Sequence, residues 1–314
     1  MKSSRSLVVA AFLLLVCWYG AEADDVAAPE MNLTKARSGF VTKLVRKETT
    51  GEAAEEPPAE LFRLVKYVSP GGSMPAYVSP APAAGGKHPA IIWIVGGFSN
   101  SIGSVAWTPG PADNDQSASA FREAGIVMMY PSLRGGNDSP GVKEGFYGEV
   151  DDVLAAAEYL SKLDYVDPNR IYLGGHSTGG TLALLAAESR NHFRAVFAFG
   201  PVSDVRSYGA DILPFDLTNP REALLRAPGS WLQAIRTPTF VFEGTEKPGN
   251  IVSLRILKHS THNPAIQFLP VDGATHFSTL QPVTRLIAAK ILHDDGAAVN
   301  IAFTEAEVAK VMAK

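Results

Sequence analysis

Two regimes of hydrophobic patterning divide the chain. Up to residue 78, apolar and polar positions alternate in short runs: Phe40 to Val45, Leu61 to Val68, and Met74 to Val78. A period of two predicts strands with one buried face. Pro70-Gly71-Gly72 reads as a turn, and residues 51–60, rich in Ala, Glu and Pro, as a linker. From Ala90 onward the runs become continuously apolar. They are Ala90-Ile91-Ile92-Trp93-Ile94-Val95, Ile126 to Tyr130, Arg170 to Leu173, Ala195 to Phe199, Thr239 to Phe242 and Ala265 to Leu269. Such runs predict strands covered on both faces. Helical patterns separate them at Ser117 to Glu123, Tyr147 to Leu163, Thr178 to Arg190, Ile251 to His259 and Thr279 to His293. Alternation of this kind predicts a doubly wound, mostly parallel sheet, with the early strands as an antiparallel edge.

This pattern places the main domain at residues 37–296. Residues 200–236 break the alternation with Tyr208, Leu213, Phe215, Trp231 and several prolines. A long segment between two core strands predicts a small cap over a partly apolar pocket. Residues 24–36 are expected to be a loose lead-in. Residues 297–314 are expected to carry a last helix, with Thr304 and Glu307 as a capping box.

Composition narrows the function. The net charge is −4 with no basic stripe, so nucleic-acid binding has no electrostatic support. Lys2 and Arg5, the apolar stretch Leu7 to Tyr19, and Ala21-Glu22-Ala23 make residues 1–23 an expected signal peptide. The apolar stretch is short for a membrane span, and a secreted or periplasmic product is expected. Cys17 is the only cysteine, so the processed protein would hold no disulfide, thiolate nucleophile or cysteine metal site.

The chemistry centres on residues 171–180. A short apolar strand runs into Gly175-His176-Ser177-Thr178-Gly179, and an Ala-rich helix follows. A serine on such a strand-to-helix turn projects its hydroxyl above the sheet, while the flanking glycines permit close packing. A hydroxyl is a weak nucleophile and needs a base, an orienter for that base, and donors for an oxyanion. His276, in the loop after the last core strand, follows the serine–acid–histidine chain order and is the expected base. The loop after Thr239 to Phe242 contains no aspartate, and Glu246 is the expected acid, with Glu243 and Asp204 as alternatives. The backbone N–H of Thr178 and that of Gly97 or Phe98 are expected to hold the oxyanion. No cofactor or metal is required.

Several segments together resemble the catalytic domain of the prolyl oligopeptidase family of serine peptidases. They are Gly96-Gly97-Phe98, Pro131 to Gly136, Tyr147 to Asp152, Val166-Asp167-Pro168-Asn169-Arg170-Ile171, the serine turn, and Gly273 to Phe277. The resemblance covers roughly residues 60–293. It implies an α/β-hydrolase fold and a triad whose serine and histidine fall on Ser177 and His276. The family's aspartate position holds Lys247 here, and Val95 stands where relatives carry Tyr or His. The 314 residues leave no room for the family's β-propeller. The expectation is an exported serine hydrolase that cleaves a small ester or a short peptide, with no nucleic-acid partner and no membrane span after processing. A carboxylesterase on the same domain is one alternative. A non-catalytic binding protein with a decayed acid loop is the other.

Overall fold

The apolar runs are the strands of one eight-stranded sheet in the computed structural model, which describes residues 31–190 and 192–312. The expected signal peptide lies outside the described residues. The strands are β1 (Arg63–Ser69), β2 (Gly72–Val78), β3 (His88–Ile94), β4 (Val127–Pro131), β5 (Val166–His176), β6 (Val196–Phe199), β7 (Thr239–Gly244) and β8 (Ile266–Val271). Their order is β1-β2-β4-β3-β5-β6-β7-β8. β2 runs antiparallel to β1 and β4, and the pairings from β4 through β8 are parallel. The alternating runs therefore sit at the edge and the continuous ones in the middle, as burial on one or two faces requires.

The helices are α1 (Leu33–Arg37), α2 (Ala120–Glu123), α3 (Glu149–Leu160), α4 (Thr178–Ser189), α5 (Pro220–Leu224), α6 (Ile251–His259), α7 (Leu280–Leu292) and α8 (Glu305–Met312). Side chains of α3, α4 and α6 pack with Ile92, Leu173 and Val241 in one core. Side chains of α2, α7 and α8 pack with Trp93, Tyr172 and Phe242 in a second core. Neighbours along each strand thus serve opposite cores, which is the period-two rule inside an all-apolar run. Both carboxylate oxygens of Glu188, in α4, are buried with no hydrogen-bond partner. Burial holds its pKa well above the ordinary carboxylate range.

Three segments differ from the sequence reading. The lead-in contains α1, whose first turn is capped by Asn32 Oδ1 accepting from Lys35 N–H at 2.9 Å. The strand expected at Arg170 to Leu173 begins earlier: Asp167 to Asn169 lie inside β5, where the pairing with β3 jumps from Val166 to Ile171. Phe40 to Val45 is not a strand of the sheet; Leu44 makes a single bridge to Phe215. Its alternation serves another purpose, because residues 42–51 form a strap across other loops. Lys43 N–H and Thr42 Oγ1 donate to Glu222, and Arg46 donates to the carbonyls of Ala210 and Asp211. Further along, Thr50 N–H donates to Gly135 O, and the hydroxyls of Thr50 and Ser101 lie 3.0 Å apart. The strap thereby ties residues 210–222 to the loops around Ser101 and Gly135.

Candidate active site

β5 ends at His176, and α4 begins at Thr178. Ser177 between them has φ 55° and ψ −113°, a conformation that side-chain-bearing residues rarely adopt. Backbone bonds on both sides hold it. Ser177 N–H donates to Phe199 O at 2.7 Å, and Ser177 O accepts from Thr181 N–H at 2.9 Å. The flanking glycines let the backbones approach: a Cβ on Gly179 would sit 2.1 Å from Ile94 O. One on Gly175 would sit 2.5 Å from the Gly179 backbone.

His276 follows β8 and is buried. Its Nδ1–H donates to Glu243 Oε2 at 2.9 Å. An ionised carboxylate only accepts, so Nδ1 carries a proton, and in the neutral ring Nε2 is the nitrogen left to act as acceptor. Glu243 is the penultimate residue of β7 and is 1% exposed. Its other oxygen accepts from Asn250 N–H at 3.0 Å. The carboxylate set against the histidine is therefore Glu243 and not the expected Glu246. Glu246 is exposed, and its backbone N–H donates to Ala274 O at 2.9 Å, so it serves the loop by its backbone. Asp204 caps a short 3-10 turn and pairs with Arg206, so it is engaged elsewhere.

The two halves meet through Phe199 and Gly200. Phe199 O holds the serine, and Gly200, at φ +56°, lies directly against the acid–base pair. A Cβ there would sit 2.2 Å from His276 Cε1 and 2.4 Å from Glu243 Oε2. His176 makes a second link. Its Nε2–H donates to His276 O at 3.1 Å, its Nδ1 lies 2.9 Å from the Gln116 side-chain amide, and the two imidazole centroids are 4.4 Å apart. Burial, and then the neighbouring His276, lower the His176 pKa to about 3, so it stays neutral. Ser177 Oγ and His276 Nε2 make no direct hydrogen bond in this structure, a common condition for such pairs without substrate.

The loop after β3 lies over the start of α4. Thr178 Oγ1 donates to Gly97 O at 2.5 Å. A trans peptide points its C=O and its following N–H in opposite directions, so the Phe98 N–H faces away from that hydroxyl. Gly97 N–H belongs to the preceding peptide and escapes this constraint. Phe98 is 42% exposed and packs edge-on against Tyr208, with ring centroids 5.3 Å apart. The Tyr208 hydroxyl lies 2.9 Å from Thr181 Oγ1, so residues 200–236 reach α4 beside the serine. A cleft of about 550 Å³ opens on Ser177, floored by Trp93 and flanked by Phe277 and Val105.

A strained serine turn and a buried histidine–carboxylate pair at the C-terminal edge of a mostly parallel sheet are the arrangement of the α/β-hydrolase fold. Residues 113–224 match the sequence model of the Prolyl oligopeptidase family. A prolyl endopeptidase of Elizabethkingia miricola is 32% identical over 103 residues, covering 31% of this chain and 14% of the relative. The chain thus spans a small part of the curated relatives it matches. Among solved structures, a puromycin hydrolase superimposes with a TM-score of 0.59 at 18% identity, covering 77% of this chain and 40% of that one. An esterase of Pyrobaculum calidifontis superimposes with a TM-score of 0.54 at 17% identity, covering 74% of this chain and 85% of that one. At these identities the superpositions speak to fold alone.

The sequence reading ranked Glu243 behind Glu246 and missed the role of Gly200. An acidic residue at the C-terminal end of a core parallel strand was the available signal, since ligands bind at that edge.

Proposed function

We propose that this protein is a serine hydrolase acting by acyl transfer through Ser177, His276 and Glu243. The observation that carries the reading is the buried Glu243–His276 hydrogen bond linked through Gly200 to a strained serine. Ser177 Oγ attacks an ester or amide carbonyl while His276 Nε2 takes its proton. Glu243 holds Nδ1–H and stabilises the imidazolium that forms. Thr178 N–H and Gly97 N–H receive the oxyanion. His276 then gives its proton to the leaving group, and a water hydrolyses the acyl-serine. Glu243, at the end of β7, supplies a buried carboxylate where the following loop has no aspartate, which favours the catalytic reading over the non-catalytic one.

Labelling of the purified protein by a fluorophosphonate tests this. Labelling that vanishes in Ser177→Ala is expected; an unlabelled, folded wild type would overturn the reading. We further propose that residues 1–23 direct export and are cleaved after Ala23. N-terminal sequencing of the product that accumulates outside the cytoplasm checks this, and an intact Met1 there would count against it.

A further inference from the structure

We propose that the site takes an uncharged substrate with a short acyl part and a bulky apolar leaving part. This rests on the serine-hydrolase reading above. Gly97 lines two cavities of very different size. The larger, about 550 Å³, is also lined by Ser177, His176 and Phe277. The smaller, about 40 Å³, is lined by Thr178, Gly179 and Leu182 from α4, with Ile212 and Leu213 from the 200–236 segment.

The chemistry assigns a role to each side. The leaving oxygen must meet the proton carried by His276. The larger cavity lies on that side, because Phe277 follows His276 and the His176 ring touches the His276 ring. The smaller cavity lies on the oxyanion side, beside Thr178, and takes the acyl carbon's remaining substituent in this assignment. The smaller cavity has less than a tenth of the larger one's volume, which suits it to the shorter arm of the substrate. The larger volume lies in the range of sites for drug-sized ligands.

Neither cavity offers a charge to a substrate. Among the described residues, none lining the larger one is Asp, Glu, Lys or Arg, and His176 is neutral. Lys143 and Glu149 line the smaller one, but both are engaged internally. Lys143 Nζ donates to Phe98 O at 2.8 Å and pairs with Glu48. Glu149 accepts from the N–H groups of Glu144, Gly145 and Tyr147 and from Asn100 Nδ2. A free α-amine or carboxylate on the substrate would find no partner there. In the balanced reaction the Ser177 Oγ–acyl bond forms and the acyl–oxygen bond breaks. The alcohol leaves with the serine proton, and water then releases the short carboxylic acid and restores Ser177.

The test measures kcat/KM of the full chain on 1-naphthyl acetate, butyrate and hexanoate, and on acetylcholine. Each methylene in an apolar site is worth about 10–200-fold, so acetate is expected to exceed hexanoate by at least about 100-fold. Acetylcholine is expected to be the poorest acetate ester. Ile212→Ala, a change at a half-buried position, should shift the butyrate-to-acetate ratio upward by about tenfold. Equal rates on acetate and hexanoate, or preference for the charged ester, would overturn the inference while fluorophosphonate labelling kept the serine-hydrolase reading. Absence of labelling together with absence of turnover would remove both.

Discussion

The serine half and the acid–base half of the site are positioned by opposite means. Ser177 is positioned by backbone alone: one strand end, one helix start, glycines within a few residues of it, and the Phe199 carbonyl of the neighbouring strand. His276 and Glu243 are 33 residues apart and are held by cross-links between separate loops. His276 N–H donates to Pro248 O, Glu246 N–H to Ala274 O, and Asn250 Nδ2 to Gly200 O. The first half is a backbone device that any sequence with the right small residues can make. The second depends on one side chain meeting a carboxylate brought to it from a separate strand.

The sharpest way to break the second half is to remove the charge from Glu243. Glu243→Gln is expected to lower kcat by about 10⁴-fold, as loss of the orienting carboxylate does in related triads. Glu246→Gln is expected to stay within about twofold, and steady-state kinetics on any turned-over ester separates the two. If the Glu246 variant carried the large loss, the hydrogen bond described here would not be the working one.

Next comes the contact between the halves. Gly200→Ala forces a methyl into the space held by His276 Cε1 and Glu243 Oε2, at a positive φ. Displacement of the base by about 1 Å is expected to cost about 10²-fold in kcat with KM little changed. A rise in KM at constant kcat would place the damage in the binding cleft instead.

The smallest effect concerns His176, which joins the halves from below. Its folded-state pKa, about 3, lies below the ordinary histidine value of 6.5. The unfolded chain therefore binds a proton between those values that the native protein does not. By linkage, this group's stability contribution is complete above about pH 6.5 and is lost as pH falls toward 3. His176→Gln is expected to flatten the slope of Tm against pH in that window. An unchanged slope would show that His176 is charged in the folded protein.

The same contrast explains what could be read in the sequence. The core strands and the serine turn were legible because apolar runs and a Gly-x-Ser-x-Gly turn act within about ten residues. His276 was legible from its place just after the last core strand. Glu243 was ranked only as an alternative, because it extends the apolar strand from Thr239 and looked like a strand end. It faces His276 because Gly200 leaves space and Asn250 N–H takes its second oxygen, neither of which is local information. Phe40 to Val45 misled for the converse reason. Its alternation fits two sides of a strap between loops as well as it fits a strand in a sheet.

The strap also decides how the site can be retargeted. Through Arg46 and Lys43 it grips the segment that supplies Ile212 and Leu213, and through Thr50 it meets the Ser101 loop next to Gly97. The walls of the acyl side are thus not a detachable lid. Any graft from another hydrolase must carry the strap, the 200–236 segment and the β3 loop together, as one inherited unit of specificity.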